Sequence, residues 1–138
     1  MASGSSSNRT SVDVSLLLMR MIAGAIFAAH GSQKLFGTFH GPGLSAWIGM
    51  MGVIGYPVAI GEFFGGIGLF FGFLTRFSAA SIILIMLGAI SMVHFKNGFF
   101  LEKGGFEYPL ALIGLLLPIL IAGPGKYTVG VKLPGALR

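Results

Sequence analysis

Few side chains in this apolar chain can bind an anion or pass a proton, and their placement is informative. His30 and Lys34 stand near one end of the first apolar run, Glu62 lies inside the second, His94 closes the third and Glu107 opens the fourth. Arg20 lies inside the first run, towards its other end. An ionisable group within a membrane helix costs about 2.5–3.5 kcal/mol on insertion scales unless it is paired or wet. Glu62, about one and a half turns into its run, therefore needs a partner, water or a proton. Histidine and lysine can donate hydrogen bonds or hold a small anion, and a carboxylate can carry protons. No spacing of ligands points to a metal site, and the chain has no cysteine.

The elements that must position these groups follow from hydropathy. Residues 1–13 are polar and Ser-rich and read as a mobile tail. Apolar runs at about 14–36, 57–74, 77–95 and 107–122 predict four spans, inside a membrane domain covering 14–125. The first is long enough to cross a bilayer, at about 35 Å as helix. Between the first two spans, His40-Gly41-Pro42-Gly43 marks a turn. Leu44, Trp47, Ile48 and Met51 then fall on one helical face, predicting a short helix along the membrane surface. Trp47 and Tyr56 are natural interface anchors. Pro118 should kink the fourth span or end its regular bonding. Residues 126–138 form a basic tail.

With four antiparallel spans, Glu62, Lys34, His30, His94 and Glu107 all fall in the half of the bundle away from the termini. A shared, water-accessible cavity there is the expected functional site. Arg20, Gly24, Phe27, Gly31 and Lys34 share one face of the first helix. A direct or water-mediated Arg20–Glu62 ion pair is expected, since each would otherwise be unpaired at depth. Gly61, Gly65, Gly66, Gly68 and Gly72 make the second span small-faced; Gly61-xxx-Gly65 and Gly68-xxx-Gly72 let a neighbouring backbone approach closely. Bundle packing is the plain reading of these glycines.

Composition agrees with a membrane bundle. Of 138 residues, 54% are hydrophobic and 9% charged, and mean hydropathy is +0.89. A soluble domain carries roughly 25% charged residues, so a soluble monomer is excluded. The 23 glycines suit close-packed membrane helices. The net charge of +5 is spread singly along the chain, without the stripe a nucleic-acid surface needs. It reads instead as topology. Arg9, Arg76, Lys126, Lys132 and Arg138 outnumber Lys34, Lys96 and Lys103 on the other side, which favours cytoplasmic termini.

The ordered residues resemble the DoxX family. The likeness runs through Leu18-Met19-Arg20-Met21-Ile22-Ala23-Gly24 and Phe27-Ala28-Ala29-His30-Gly31-Ser32-Gln33-Lys34-Leu35-Phe36-Gly37. It continues in Gly41-Pro42-Gly43-Leu44, the segment from Glu62 to Gly66, and Gly72-Phe73-Leu74-Thr75-Arg76. Val93-His94-Phe95-Lys96-Asn97-Gly98-Phe99-Phe100, Gly105-Phe106-Glu107-Tyr108 and Gly123-Pro124-Gly125-Lys126 complete it. The resemblance implies an all-α, four-helix protein of the bacterial inner membrane. The family takes its name from subunits of a thiosulfate:quinone oxidoreductase, so membership implies redox-linked membrane biology without a defined reaction.

Three functions follow as expectations. The first is a redox-associated subunit whose polar pocket takes a quinone or a small sulfur compound, partnered by a redox enzyme subunit or by copies of itself in the lipid bilayer. The second is a structural or assembly subunit without chemistry, which the glycine faces suit. The third is a small proton or solute transporter using Arg20 and Glu62 as a relay, against which four helices make a narrow pore.

Overall fold

The computed structural model describes residues 3–129, with side chains from residue 6 onward. Every regular element among them is helical. The helices are α1 (Ser3–Phe36), α2 (Gly43–Met51), α3 (Gly55–Phe71), α4 (Thr75–Ala89) and α5 (Glu107–Ala122). A π-helical turn, Ile90–His94, and a 3-10 turn, Phe95–Asn97, extend α4. Three helical stretches, 6–36, 38–71 and 75–97, are long and apolar enough to cross a membrane. The fourth helix, α5, is apolar but shorter: its 16 residues span about 24 Å. Large apolar side chains such as Ile22, Phe64, Phe77, Leu84 and Ile121 cover the outside, as expected of a surface facing lipid. Phe27, Leu69, Ile82, Leu116 and Ile119 fill the interior between α1, α3, α4 and α5. The chain is an all-α membrane bundle.

The polar N-terminal stretch differs from the expected mobile tail. From Ser3 it is continuous with α1. Hydroxyls of Thr10, Ser11 and Ser15 return to the carbonyls of Ser6, Ser7 and Ser11, four residues earlier. The far end of the chain ties it down, because the Lys126 backbone N–H donates to Asp13 Oδ1 at 3.0 Å. Extending a formed helix adds one bond per residue fixed, so polar residues follow an existing nucleus. Of the basic tail, residues 126–129 lie against the bundle; the rest, with Lys132 and Arg138, falls outside the described residues.

The α1–α3 pair is the most intimate contact in the bundle. A Cβ added at Gly31 would lie 2.3 Å from Phe63 N, one at Gly66 2.3 Å from Ala28 N, and one at Gly24 2.5 Å from Phe70 N. The two backbones are therefore in direct contact, which only small residues allow. The expected glycine pairs divide their work. Gly66 serves α1, whereas Gly61 and Gly65 make room for Ile85 and Ile82 of α4. Gly68 admits Ser78 and the Phe73 carbonyl, and Gly72 admits the Arg20 guanidinium.

The α3–α4 turn is tight because Gly72 takes the left-handed conformation, with φ of 76°. Phe73 N–H then returns to Gly68 O and Gly72 N–H to Leu69 O, the paired bonds of a Schellman cap. Leu74 is left-handed as well, so Thr75 can begin α4 at once. Across the surface helix, Leu44, Trp47, Ile48 and Met51 are half-buried, while Ser45, Ala46, Gly49 and Met50 are exposed. The face expected to pack is the face that packs.

Candidate functional site

Lys34 occupies the last turn of α1, where the helix dipole favours a cation. Glu62 lies two turns into α3, which runs the opposite way. The contact of Gly31 with the Phe63 backbone brings these turns together, and Lys34 Nζ pairs with Glu62 Oε2. The carboxylate side chain is 5% exposed and the lysine 16%. Over the same ammonium lies the Trp47 ring, its centroid 4.9 Å from Nζ. Trp47 is itself held, since Nε1 donates to Gly55 O at 2.9 Å. Gly55 is bare for that reason: a Cβ there would meet Ile48 Cδ1 at 2.8 Å and Trp47 Nε1 at 3.1 Å.

The expected Arg20–Glu62 pair does not form. Arg20 Nη1 donates to Leu69 O at 3.1 Å and Phe70 O at 2.8 Å, at the opposite end of α3. The physical reason is depth. In antiparallel helices Arg20 lies level with the C-terminus of α3, whereas Lys34, four turns further along α1, is level with Glu62. The nearer cation takes the carboxylate, and the deeper one takes the orphan carbonyls of a helix end.

The other expected site residues do not join Lys34 and Glu62. His30 is exposed on α1 and makes no hydrogen bond among the described residues. His94 is half-buried, its Nδ1 2.7 Å from Gly104 O, and Asn97 Nδ2 donates to the same carbonyl at 3.2 Å. A carbonyl only accepts, so Nδ1 carries a proton and donates to it. Glu107 is half-buried in the first turn of α5; its backbone N–H donates to Phe99 O at 2.9 Å, and its carboxylate has no hydrogen bond among the described residues. The expected single cavity is thus replaced by two polar groups, Trp47–Lys34–Glu62 and His94–Asn97–Gly104. Among the described residues no three His, Asp or Glu side chains gather as metal ligands. Trp47 belongs to the site although the sequence marks it only as a membrane anchor. Its place on the packed face of α2 was the available signal.

Chemically, an ammonium has three donors. Glu62 Oε2 takes one and the indole face covers another side, which leaves a donor direction and Glu62 Oε1 without a hydrogen bond among the described residues. The arrangement can donate to a carbonyl, exchange a proton and stack against a flat ring.

Comparison with known proteins gives the same class. The family model described as DoxX matches residues 15–95. The chain is 33% identical over 109 residues to a Bacillus subtilis protein named "Putative oxidoreductase CatD", covering 79% of this chain and 81% of that one. It is 30% identical over 120 residues to the inner membrane protein YqjF of Escherichia coli, covering 85% and 90%. No solved structure matches significantly.

Proposed function

We propose that this chain, which belongs to the DoxX family, is a redox-associated membrane subunit that holds a quinone head group at Trp47, Lys34 and Glu62. The observation carrying this reading is the Lys34 ammonium held between a carboxylate and the chain's single tryptophan while still 16% exposed. A quinone needs a donor at its carbonyl, a flat surface for its ring and a group to exchange protons on reduction. These three side chains supply one each. A small sulfur anion would find the same lysine but also the charge of Glu62, which makes it the poorer fit. With no cysteine for a thiol relay, electrons would come from a partner redox subunit. The name of the Bacillus relative agrees with such a setting. The count of basic residues favours cytoplasmic termini, and reporter fusions at the C-terminus that are active only outside the cytoplasm would overturn that reading.

A structural role has one observation in its favour. Lys34 and Glu62 neutralise each other, and such a pair can serve only to lock α1 on α3. Trp47 separates the two readings, because its fluorescence comes without background from other tryptophans. Titration of a short-tailed quinone into quinone-free nanodiscs should quench it saturably in the wild type. In Lys34→Arg, which keeps the charge, and in Glu62→Gln, only the linear quenching of membrane partitioning should remain. Linear quenching in the wild type would leave the structural role standing.

A further inference from the structure

The connection between α4 and α5 turns its apolar side chains outward. Phe95 is 68% exposed and Phe100 57%, and Phe99 and Leu101 are about half exposed. The rings are already packed on one another. Phe99 stands edge-on to Phe100 and to Phe106, with centroids 5.4 and 5.5 Å apart, and Phe95 stacks on Phe106 at 6.1 Å. What remains exposed is therefore a braced apolar surface. We propose that the 95–106 connection is an interfacial anchor, which dips Phe95, Phe99, Phe100 and Leu101 into the headgroup–acyl boundary of the leaflet away from the termini.

The first observation behind the anchor is its backbone. The chain doubles back so closely that a Cβ added at Gly105 would lie 2.5 Å from Phe99 O. Six N–H groups are bonded within the connection. Gly98 donates to Phe95 O, Lys103 and Gly105 to Phe100 O, Gly104 to Leu101 O, Phe106 to Gly98 O and Glu107 to Phe99 O. Gly104 O in turn accepts from His94 and Asn97, which fixes the turn to the end of α4. A loop bathed in water can leave such groups to the solvent, whereas one entering a bilayer must satisfy them itself.

The second observation is level. Gly61 lies against Ile85 and Gly65 against Ile82, so Gly55, the first residue of α3, is level with about Ser91. The Gly55 carbonyl holds the Trp47 indole, an aromatic group of the kind that marks a membrane interface. The extension of α4 continues to Asn97, roughly 9 Å further out. The polar layer on one side of a bilayer is about 5–8 Å deep, so the connection stands at its height.

Continuity and charge identify lipid as the occupant. Phe95 prolongs the exposed apolar surface of Leu84, Leu87 and Met92, which faces lipid along the span. Lys96 and Lys103 are exposed beside the aromatic run and make no ion pair among the described residues, so both are available to lipid phosphates. Aromatic side chains bordered by lysines are the composition of an interfacial segment.

The chain has no cysteine, so one introduced thiol is unique. Phe100→Cys and Leu101→Cys, each carrying a nitroxide, would be placed in the full chain, one chain to a nanodisc of equal parts phosphatidylcholine and phosphatidylglycerol. Two labelled positions guard against one variant failing to fold, which circular dichroism checks. Power-saturation EPR compares collisions with oxygen, which concentrates among acyl chains, and with a neutral nickel chelate, which stays in water. Oxygen should dominate at both positions, at a depth of about 5–10 Å into the headgroup–acyl boundary. The same label at Lys96→Cys should collide mainly with nickel. Nickel-dominated collisions at Phe100 and Leu101 would put the connection in water, free for a protein partner, and would overturn the proposal. Labels shielded from both reagents would show protein covering the patch and would overturn it equally.

Discussion

A single methyl group at Gly66 should do more damage than any other small change in α3. The added Cβ would lie 2.3 Å from Ala28 N, 2.8 Å from Gly24 O and 2.9 Å from Ala28 Cα. Ordinary contact begins at about 3.5 Å, so α1 and α3 must separate by roughly 1 Å. All three atoms are backbone, so no rotamer change relieves the clash. Separation on that scale stretches the bonds from Arg20 to Leu69 O and Phe70 O, now 3.1 and 2.8 Å, to or past the limit of a hydrogen bond. Overpacking costs about 1–3 kcal/mol and a carbonyl left unsatisfied about 1–3 kcal/mol more. Gly66→Ala should therefore lose about 3 kcal/mol. Internal controls are available. At Gly114 and Gly88 the same methyl meets nothing, and the gain in helix propensity is up to ~1 kcal/mol. At Gly61 it meets only the mobile Cδ1 of Ile85, so the change should stay within ~1 kcal/mol. Thermal and SDS unfolding followed by circular dichroism would rank the four. If Gly66→Ala matched Gly114→Ala, the backbone contact between α1 and α3 would be refuted.

Other perturbations have equally definite outcomes. Lys34→Met leaves Glu62 buried without its partner and should cost about 3–5 kcal/mol; Lys34→Met combined with Glu62→Gln should recover much of that in the same unfolding assay. Arg20→Met removes the donor to Leu69 O and Phe70 O and should destabilise by about 2–4 kcal/mol, with accelerated amide exchange confined to the last turn of α3. His94→Phe loses the bond to Gly104 O, and should loosen the 94–107 connection to hydrogen exchange at a cost of about 1 kcal/mol, with quinone quenching of Trp47 unchanged.

The sequence was informative about faces and poor about levels. Hydropathy and turn residues located the helices, and the periodic apolar face of 44–51 located the packed side of α2. The same periodicity puts Arg20, Gly24, Phe27, Gly31 and Lys34 on one stripe; Arg20, Gly24, Gly31 and Lys34 meet α3, and Phe27 is buried in the core. What periodicity cannot provide is the relative slide of two helices. A slide of a few residues changes which cation meets Glu62, and it is set by backbone contacts at Gly24, Gly31 and Gly66 rather than by any charge. Trp47 was missed as a site residue for a related reason. Its reach to Lys34 depends on the turn through Gly37 and Gly43, whose left-handed φ values fold α2 back over the end of α1.

The depth of Arg20 is explained by accounting for the end of α3. A helix leaves its last carbonyls without partners, and in lipid no water replaces them. Helix α3 is only 17 residues, about 26 Å, so it ends near the hydrocarbon edge rather than beyond it. Each carbonyl of its last turn is nevertheless met. Gly68 O accepts from Phe73 N–H, Leu69 O from Gly72 N–H and Arg20, Phe70 O from Arg20, and Phe71 O from Val129 N–H at 3.0 Å. Helix α5 ends at the same side in the same manner, with Gly123 N–H on Ile119 O and Arg76 Nη2 on Ile121 O. Two arginines thus finish two short helices, each a cation at a helix C-terminus where the dipole favours it. An intramembrane arginine ordinarily marks a pathway or a site. Here a short helix requires Arg20 at that level, and no relay is needed to account for it. The transporter reading loses its first residue, and the unexplained chemistry of the spans contracts to the other end, where Lys34, Glu62 and Trp47 meet.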